Sequence, residues 1–206
     1  LCEHFNIEMI PVSFDGQDPD LDQIERLVQQ DPSIKGIWCV PKYSNPTGKT
    51  YSDTAVKRFS MLPKISGNNF RIMWDNAYAV HHLSDAPDQL ANLMALARHH
   101  DTNDSMVLFG STSKVTFAGA GISFLGTSQE KLGEFEQHLS ETMIGFDKVN
   151  QLRHVLFLKD MSGIARHMAR HAALLKPRFA LTEKILSKYL DGKRIGEWSR
   201  PNGGYF

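Results

Sequence analysis

Two cysteines, Cys2 and Cys39, are all that the 206 residues contain. No disulfide framework and no paired zinc-ligand spacing can be built from them, and such sparing use suits a reducing compartment. Net charge is equally lacking, because 23 Lys and Arg balance 23 Asp and Glu. No global field therefore draws the chain to nucleic acid or to an anionic membrane. No apolar run approaches the roughly 20 residues that cross a bilayer, and the first residues lack the pattern of a signal peptide. Internal repeats and low-complexity stretches are missing too. What remains, 41% hydrophobic and 22% charged, is ordinary globular material for which the cytoplasm is the expected location, with neither nucleic acid nor membrane as a partner.

The apolar pattern alternates short strand-like runs with amphipathic helices, which predicts an α/β fold with helices flanking a mostly parallel sheet. Strands are expected over Ile7–Phe14, Ile34–Val40, Phe70–Trp74, Ser105–Phe109 and Gly121–Gly126. Helices are expected over Leu21–Gln30 behind an Asp20 cap, over about Ser52–Leu62, over Gln89–His100 and over Gln129–Met143. Residues 147–190 read as nearly continuous helix, interrupted near Ser162–Gly163 and at Pro177. After Gly192 the pattern turns extended. Leu1 is not an initiator methionine, and the chain stops two residues into what reads as a new strand, Tyr205–Phe206. A piece of a longer protein is the expectation.

Chemistry-bearing residues gather at the ends of the expected strands. Gly110-Ser111-Thr112-Ser113-Lys114 follows one strand directly, and open α/β sheets bind ligands at the carboxyl ends of their strands. A lysine amine held there among small and hydroxyl residues suits Schiff-base chemistry, provided that the pocket lowers its basicity or binds it covalently. Taken alone, a solvated lysine after a serine-rich turn explains it better. Asn45-Pro46-Thr47-Gly48 follows an earlier strand by a short loop and is a good turn sequence in its own right. Asp75-Asn76-Ala77-Tyr78 ends a third strand, where a carboxylate can cap and a tyrosine can pack.

In combination and in this order, the N-P-T-G loop, the D-x-A-Y strand end and the S-x-S-K turn resemble the fold-type I pyridoxal phosphate enzymes, in particular the class I/II aminotransferases. The wording from Ser113 to Gly121 is most similar to a bacterial aspartate aminotransferase subgroup, and the resemblance runs over essentially the whole chain, including Pro201–Phe206. It implies pyridoxal 5'-phosphate as cofactor, Lys114 as its covalent anchor and proton carrier, and Asp75 as partner of the pyridine nitrogen. It further implies Tyr78 and Asn45 as donors to the phenolic oxygen, and Ser111, with Ser113, as the phosphate ligands. The implied reaction moves an amino group from an amino acid, best guess aspartate, to a 2-oxo acid, best guess 2-oxoglutarate, by a ping-pong route. A β-lyase or decarboxylase of the same fold, or the non-catalytic sensor domain of a transcription regulator, would keep the same cofactor residues. The resemblance also implies a homodimer when intact. It divides the chain into part of a cofactor-binding large domain (1–146), a connecting helical segment (147–190) and the start of a small C-terminal domain (191–206). The isolated piece would lack a phosphate-binding loop and a ring-stacking aromatic. One departure stands out, because the arginine that family members carry about eight residues after the lysine is replaced by Ile122, followed by Ser123.

Other features carry less. His81–His82 and His99–His100 are adjacent pairs whose rings point different ways, so no metal site is expected. Residues 151–190 hold eight basic against two acidic side chains, a basic patch interleaved with Leu152, Val155, Leu156 and Leu158 and explained by pairing within or between subunits.

Overall fold

Asp20 caps the first α-helix, its carboxylate accepting the Gln23 amide at 2.8 Å. That bond satisfies one of the amide groups left free at a helix start and opens α1, Leu21–Gln30, which buries Ile24 and Val28. Two short strands precede it, β1 (Phe14–Asp15) and β2 (Asp18–Pro19), paired antiparallel. The computed structural model describes residues 2–206 and continues through β3 (Gly36–Cys39), α2 (Asp53–Met61), β4 (Arg71–Asp75), α3 (Leu93–His99), β5 (Met106–Ser111) and β6 (Ser123–Gly126). Helices α4 (Gln129–Thr142), α5 (Lys148–Leu158) and α6 (Met161–Leu190) complete it.

The main sheet has the order β3-β4-β5-β6. β3, β4 and β5 run parallel, and β6 returns antiparallel to β5. Alternation along the strands sends Cys39, Ile72, Trp74 and Met106 to one face, where Val56 and Phe59 of α2 and Leu93 and Ala97 of α3 close over them. Phe59 meets Trp74 edge-on at 5.8 Å, and Tyr51 stacks on Phe59 at 5.7 Å. The opposite face carries Trp38, stacked on Phe109 at 5.6 Å, together with Leu125, the cross-strand partner of Phe109, and both Trp38 and Leu125 are exposed. The α/β architecture with a mostly parallel sheet is as the apolar pattern implies.

Three expectations are corrected. Residues 7–13 form no strand: Ile7, Met9 and Ile10 are exposed and pair with nothing among the described residues, so apolar alternation found no neighbouring edge to join. The long helical stretch breaks at Lys159, which takes a positive φ of 64°, and Asp160 then caps α6 through the Gly163 amide at 2.7 Å. Pro177 lies inside an uninterrupted α6. Its missing N–H removes one helical bond, and the remaining turns carry the helix through. The third helix starts at Leu93 rather than Gln89, because Asn92 supplies its cap to Ala95. Residues 191–206 contain no helix or strand beyond a single bridge from Gly203 to His82. Among the described residues no helix is long and apolar enough to cross a membrane.

Candidate active site

Because β3, β4 and β5 are parallel neighbours, their carboxyl ends share one edge of the sheet. The Asn45 loop follows β3, Asp75 closes β4, and Ser111 closes β5 and leads into Lys114. The sheet thus delivers the three motifs to one edge.

Lys114 projects from a tight turn in which the Val115 and Thr116 amides both donate to the Thr112 carbonyl at 2.8 Å. Its side chain is exposed, and Nζ stands 4.6 Å from the centre of the Tyr78 ring. Tyr78 itself is buried, with His81 and Tyr205 against its ring. Asp75 holds the turn after β4 by accepting the Ala77 amide on Oδ1 at 3.0 Å. Ser111 Oγ donates to Ser113 Oγ at 2.9 Å and accepts the Ser113 amide at 3.0 Å. Asn45, in an exposed loop, makes no hydrogen bond to the other motif residues. The structure therefore joins Lys114 to Tyr78 directly and Ser111 to Ser113, and places Asp75 and Asn45 on the same edge without contact to the lysine.

At the position of the absent arginine, Ile122 serves the turn through its backbone. Its amide donates to Thr112 Oγ1 at 2.8 Å, and its carbonyl accepts the Thr112 amide at 2.9 Å. Ser123 lies exposed in β6. No basic side chain hydrogen-bonds to Ser111 or Ser113 among the described residues, so hydroxyl and amide groups form this end of the site.

Several supporting residues escaped the sequence reading. His154, from α5, donates from Nδ1 to the Asn150 carbonyl at 2.9 Å, which leaves Nε2 to accept from Thr112 at 3.1 Å. His167, from α6, donates to the Val115 carbonyl at 2.7 Å. His81 Nε2 and the Tyr205 hydroxyl both donate to the Lys114 carbonyl, at 3.0 and 2.9 Å. Burial holds His81 below its ordinary histidine value and raises the Tyr205 phenol above its own. The only sequence signal for these residues was the proximity of His81 to Tyr78; the others come from helices or segments far along the chain.

The donor set comprises a primary amine, a carboxylate whose Oδ2 is unengaged, a phenol and paired serine hydroxyls. These residues fit a cofactor with an aldehyde, a ring nitrogen, a phenolic oxygen and a phosphate. A lysine at the carboxyl edge of this sheet, within this order of strands and helices, defines the fold-type I fold of pyridoxal phosphate-dependent transferases. The profile of the aspartate amino-transferase family matches residues 1–206, and the chain belongs to that family. It is 48% identical, over all of its residues and 48% of the relative's length, to a Mycolicibacterium smegmatis protein named as an aminotransferase. It superposes on an aspartate transaminase from Corynebacterium glutamicum with a TM-score of 0.93 at 39% identity, covering 98% of this chain and 47% of the other. A C-S lyase from Staphylococcus hominis with pyridoxal phosphate bound shares the fold, at TM-score 0.74 and 17% identity, over 99% of this chain and 49% of its own. The chain spans about half the length of the curated relatives it matches.

Proposed function

We propose that the protein containing this chain is a pyridoxal phosphate-dependent aminotransferase that moves an amino group from an amino acid to a 2-oxo acid by a ping-pong route. The observation that carries the reading is the Lys114 amine at the sheet's carboxyl edge, 4.6 Å from the Tyr78 ring, in a chain that belongs to the aspartate amino-transferase family. Aspartate as donor is favoured by the likeness to the Corynebacterium glutamicum aspartate transaminase, and 2-oxoglutarate is the acceptor proposed with it.

Pyridoxal phosphate, when bound, supplies a conjugated ring that draws electrons from the substrate's Cα. Lys114 would hold it through Nζ, and its amine would serve as the group that takes up and returns the proton at the substrate's Cα. Asp75 would pair with the ring nitrogen, its negative charge favouring the protonated, more strongly withdrawing ring. The Tyr78 hydroxyl and the Asn45 amide donate to the phenolic oxygen. Ser111 and Ser113 hold the phosphate with the amides of their turn, without the usual arginine. Residues 1–146 belong to the cofactor-binding large domain, 147–190 connect it onward and 191–206 begin the small domain. The intact enzyme is a cytoplasmic homodimer in this reading.

The test is the absorption spectrum of the full-length protein with added pyridoxal phosphate, followed by borohydride reduction and peptide mapping. The expected result is a distinct visible band with the reduced adduct on Lys114, both lost in Lys114→Ala. Adduct scattered over surface lysines of the full-length protein would sink the assignment.

A further inference from the structure

The backbone carbonyl of Lys114 is held from two sides by groups far apart in the chain. His81 Nε2 lies 3.0 Å from this oxygen and the Tyr205 hydroxyl 2.9 Å. A carbonyl offers two lone pairs and no hydrogen, so both neighbours must donate and both lone pairs are filled. Neither contact is incidental. His81 is buried at 3% exposure, with the Tyr78 and Tyr205 rings packed edge-on to it at 5.7 and 5.1 Å. Its own backbone carbonyl takes the Gly204 amide at 2.8 Å, which brings the following residue, Tyr205, back over the lysine turn.

The protonation state of His81 suits a donor. Nε2 must carry the hydrogen, and Nδ1 is buried without a partner, as expected of the unprotonated nitrogen in a neutral ring. Burial favours the neutral form against the opposing pull of the carbonyl bond, and the neighbouring His171 and Lys114 charges act in the same direction as burial. The ionisable groups facing His81 are Lys114, His171, Tyr78 and Tyr205.

We infer that His81 and Tyr205 are positioning residues for Lys114: by filling both lone pairs of its carbonyl oxygen they fix the direction in which the amine leaves the turn. The inference rests on the reading of Lys114 as the reacting amine. Nζ is joined to its own backbone by a flexible four-carbon stem, so a turn free to rock would spread the amine over many positions. Misplacement of a reacting group by about 1 Å is enough to cost roughly 100-fold in rate.

The test uses the full-length protein with His81→Phe, His81→Gln and Tyr205→Phe. Glutamine restores an N–H near the position of Nε2, whereas the two phenylalanines keep ring bulk and remove the donor. In the cofactor-free protein, amide hydrogen exchange across residues 112–117 is expected to speed up in both phenylalanine variants and to stay near wild type in His81→Gln. After loading with pyridoxal phosphate, the pH midpoint of the absorption change is expected to shift in the phenylalanine variants and to return in His81→Gln. Turnover of the loaded phenylalanine variants is expected to fall roughly 10- to 100-fold in kcat with KM nearly unchanged. Unchanged exchange and an unchanged midpoint in the phenylalanine variants overturn the inference, as does a glutamine variant as impaired as His81→Phe. Should His81→Phe fail to fold, Tyr205→Phe, which loses a single oxygen, carries the same readouts. Absence of a Lys114-dependent band in wild type would instead strike the aminotransferase reading, whereas failure of the positioning alone leaves that band in place.

Discussion

Gly203 shows how little room the residues around the lysine turn leave. A Cβ at this position would run into the Tyr43 ring and the His81 carbonyl, and the next residue, Gly204, takes a φ of +83°, which side chains rarely adopt. The two glycines let residues 201–206 lie against the loop after β4, where the Leu83 and Ser84 amides donate to the Asn202 carbonyl at 2.9 and 3.1 Å. Gly203→Ala is expected to loosen that contact by about 1–3 kcal/mol, the usual cost of overpacking, because a backbone carbonyl and a buried ring cannot swing aside. Faster hydrogen exchange at Leu83 and Ser84 would register the change, and unaltered protection there would show that the segment docks by other means. Lys114, Asp75 and Tyr78 were legible in the sequence because each stands at a fixed offset within a short motif. His81 and Tyr205 were not, since their meeting point is a backbone oxygen 33 and 91 residues away, and a backbone oxygen leaves no mark on residue identity.

At the scale of elements, α1 and α2, each with a capping side chain and an apolar stripe, were read to within a residue or two, whereas α3 begins four residues later than its pattern implies. Ser52 has a second role that the sequence did not disclose. Its Oγ accepts the Ala55 amide at 3.1 Å while donating to Asp18 Oδ2 at 2.6 Å, and its own amide donates to Asp18 Oδ1 at 2.7 Å. The cap therefore ties the start of α2 to β2, whereas Asp20 caps α1 with a single local bond. Replacing a capping side chain with alanine costs about 0.5–2 kcal/mol. Ser52→Ala is expected at the upper end of that range and Asp20→Ala at the lower, by urea unfolding of each variant. Equal losses would mean that the Asp18 bonds contribute nothing beyond the cap. The misread elements have separate causes: α3 starts late because Asn92 caps it, and the long helical stretch breaks at Lys159. Residues 7–13 alternate like a strand, but pairing depends on a neighbouring edge that local pattern does not report.

The whole molecule exposes one sheet face and buries histidines, and neither was legible in composition. Within the apolar run Gly36-Ile37-Trp38-Cys39, Cys39 is buried while Trp38 is 60% exposed, because α2 and α3 cover only the face that Cys39 occupies. Four of the nine histidines, His81, His82, His100 and His171, are held below the ordinary value of 6.5, in each case chiefly by burial. The folded chain thus resists protonation at these rings, while the unfolded chain takes up protons freely once the pH drops below about 6.5. Their contribution to stability is fully present above that value and is lost as the pH falls through the lowered folded values. The carboxylates with depressed values, such as Asp85 beside Lys176 and Glu183 beside Trp198 and Arg200, lose their contribution only in more acid solution and do not mask this window. Urea midpoints are therefore expected to decline from about pH 7.5 to about pH 5.5, and the decline should be shallower in His81→Gln, which keeps the donor to Lys114 but cannot titrate. A midpoint independent of pH across that interval would mean that these rings accept protons in place, through local opening that leaves the fold intact. An equal decline in His81→Gln would shift the sensitivity to His82, His100 and His171.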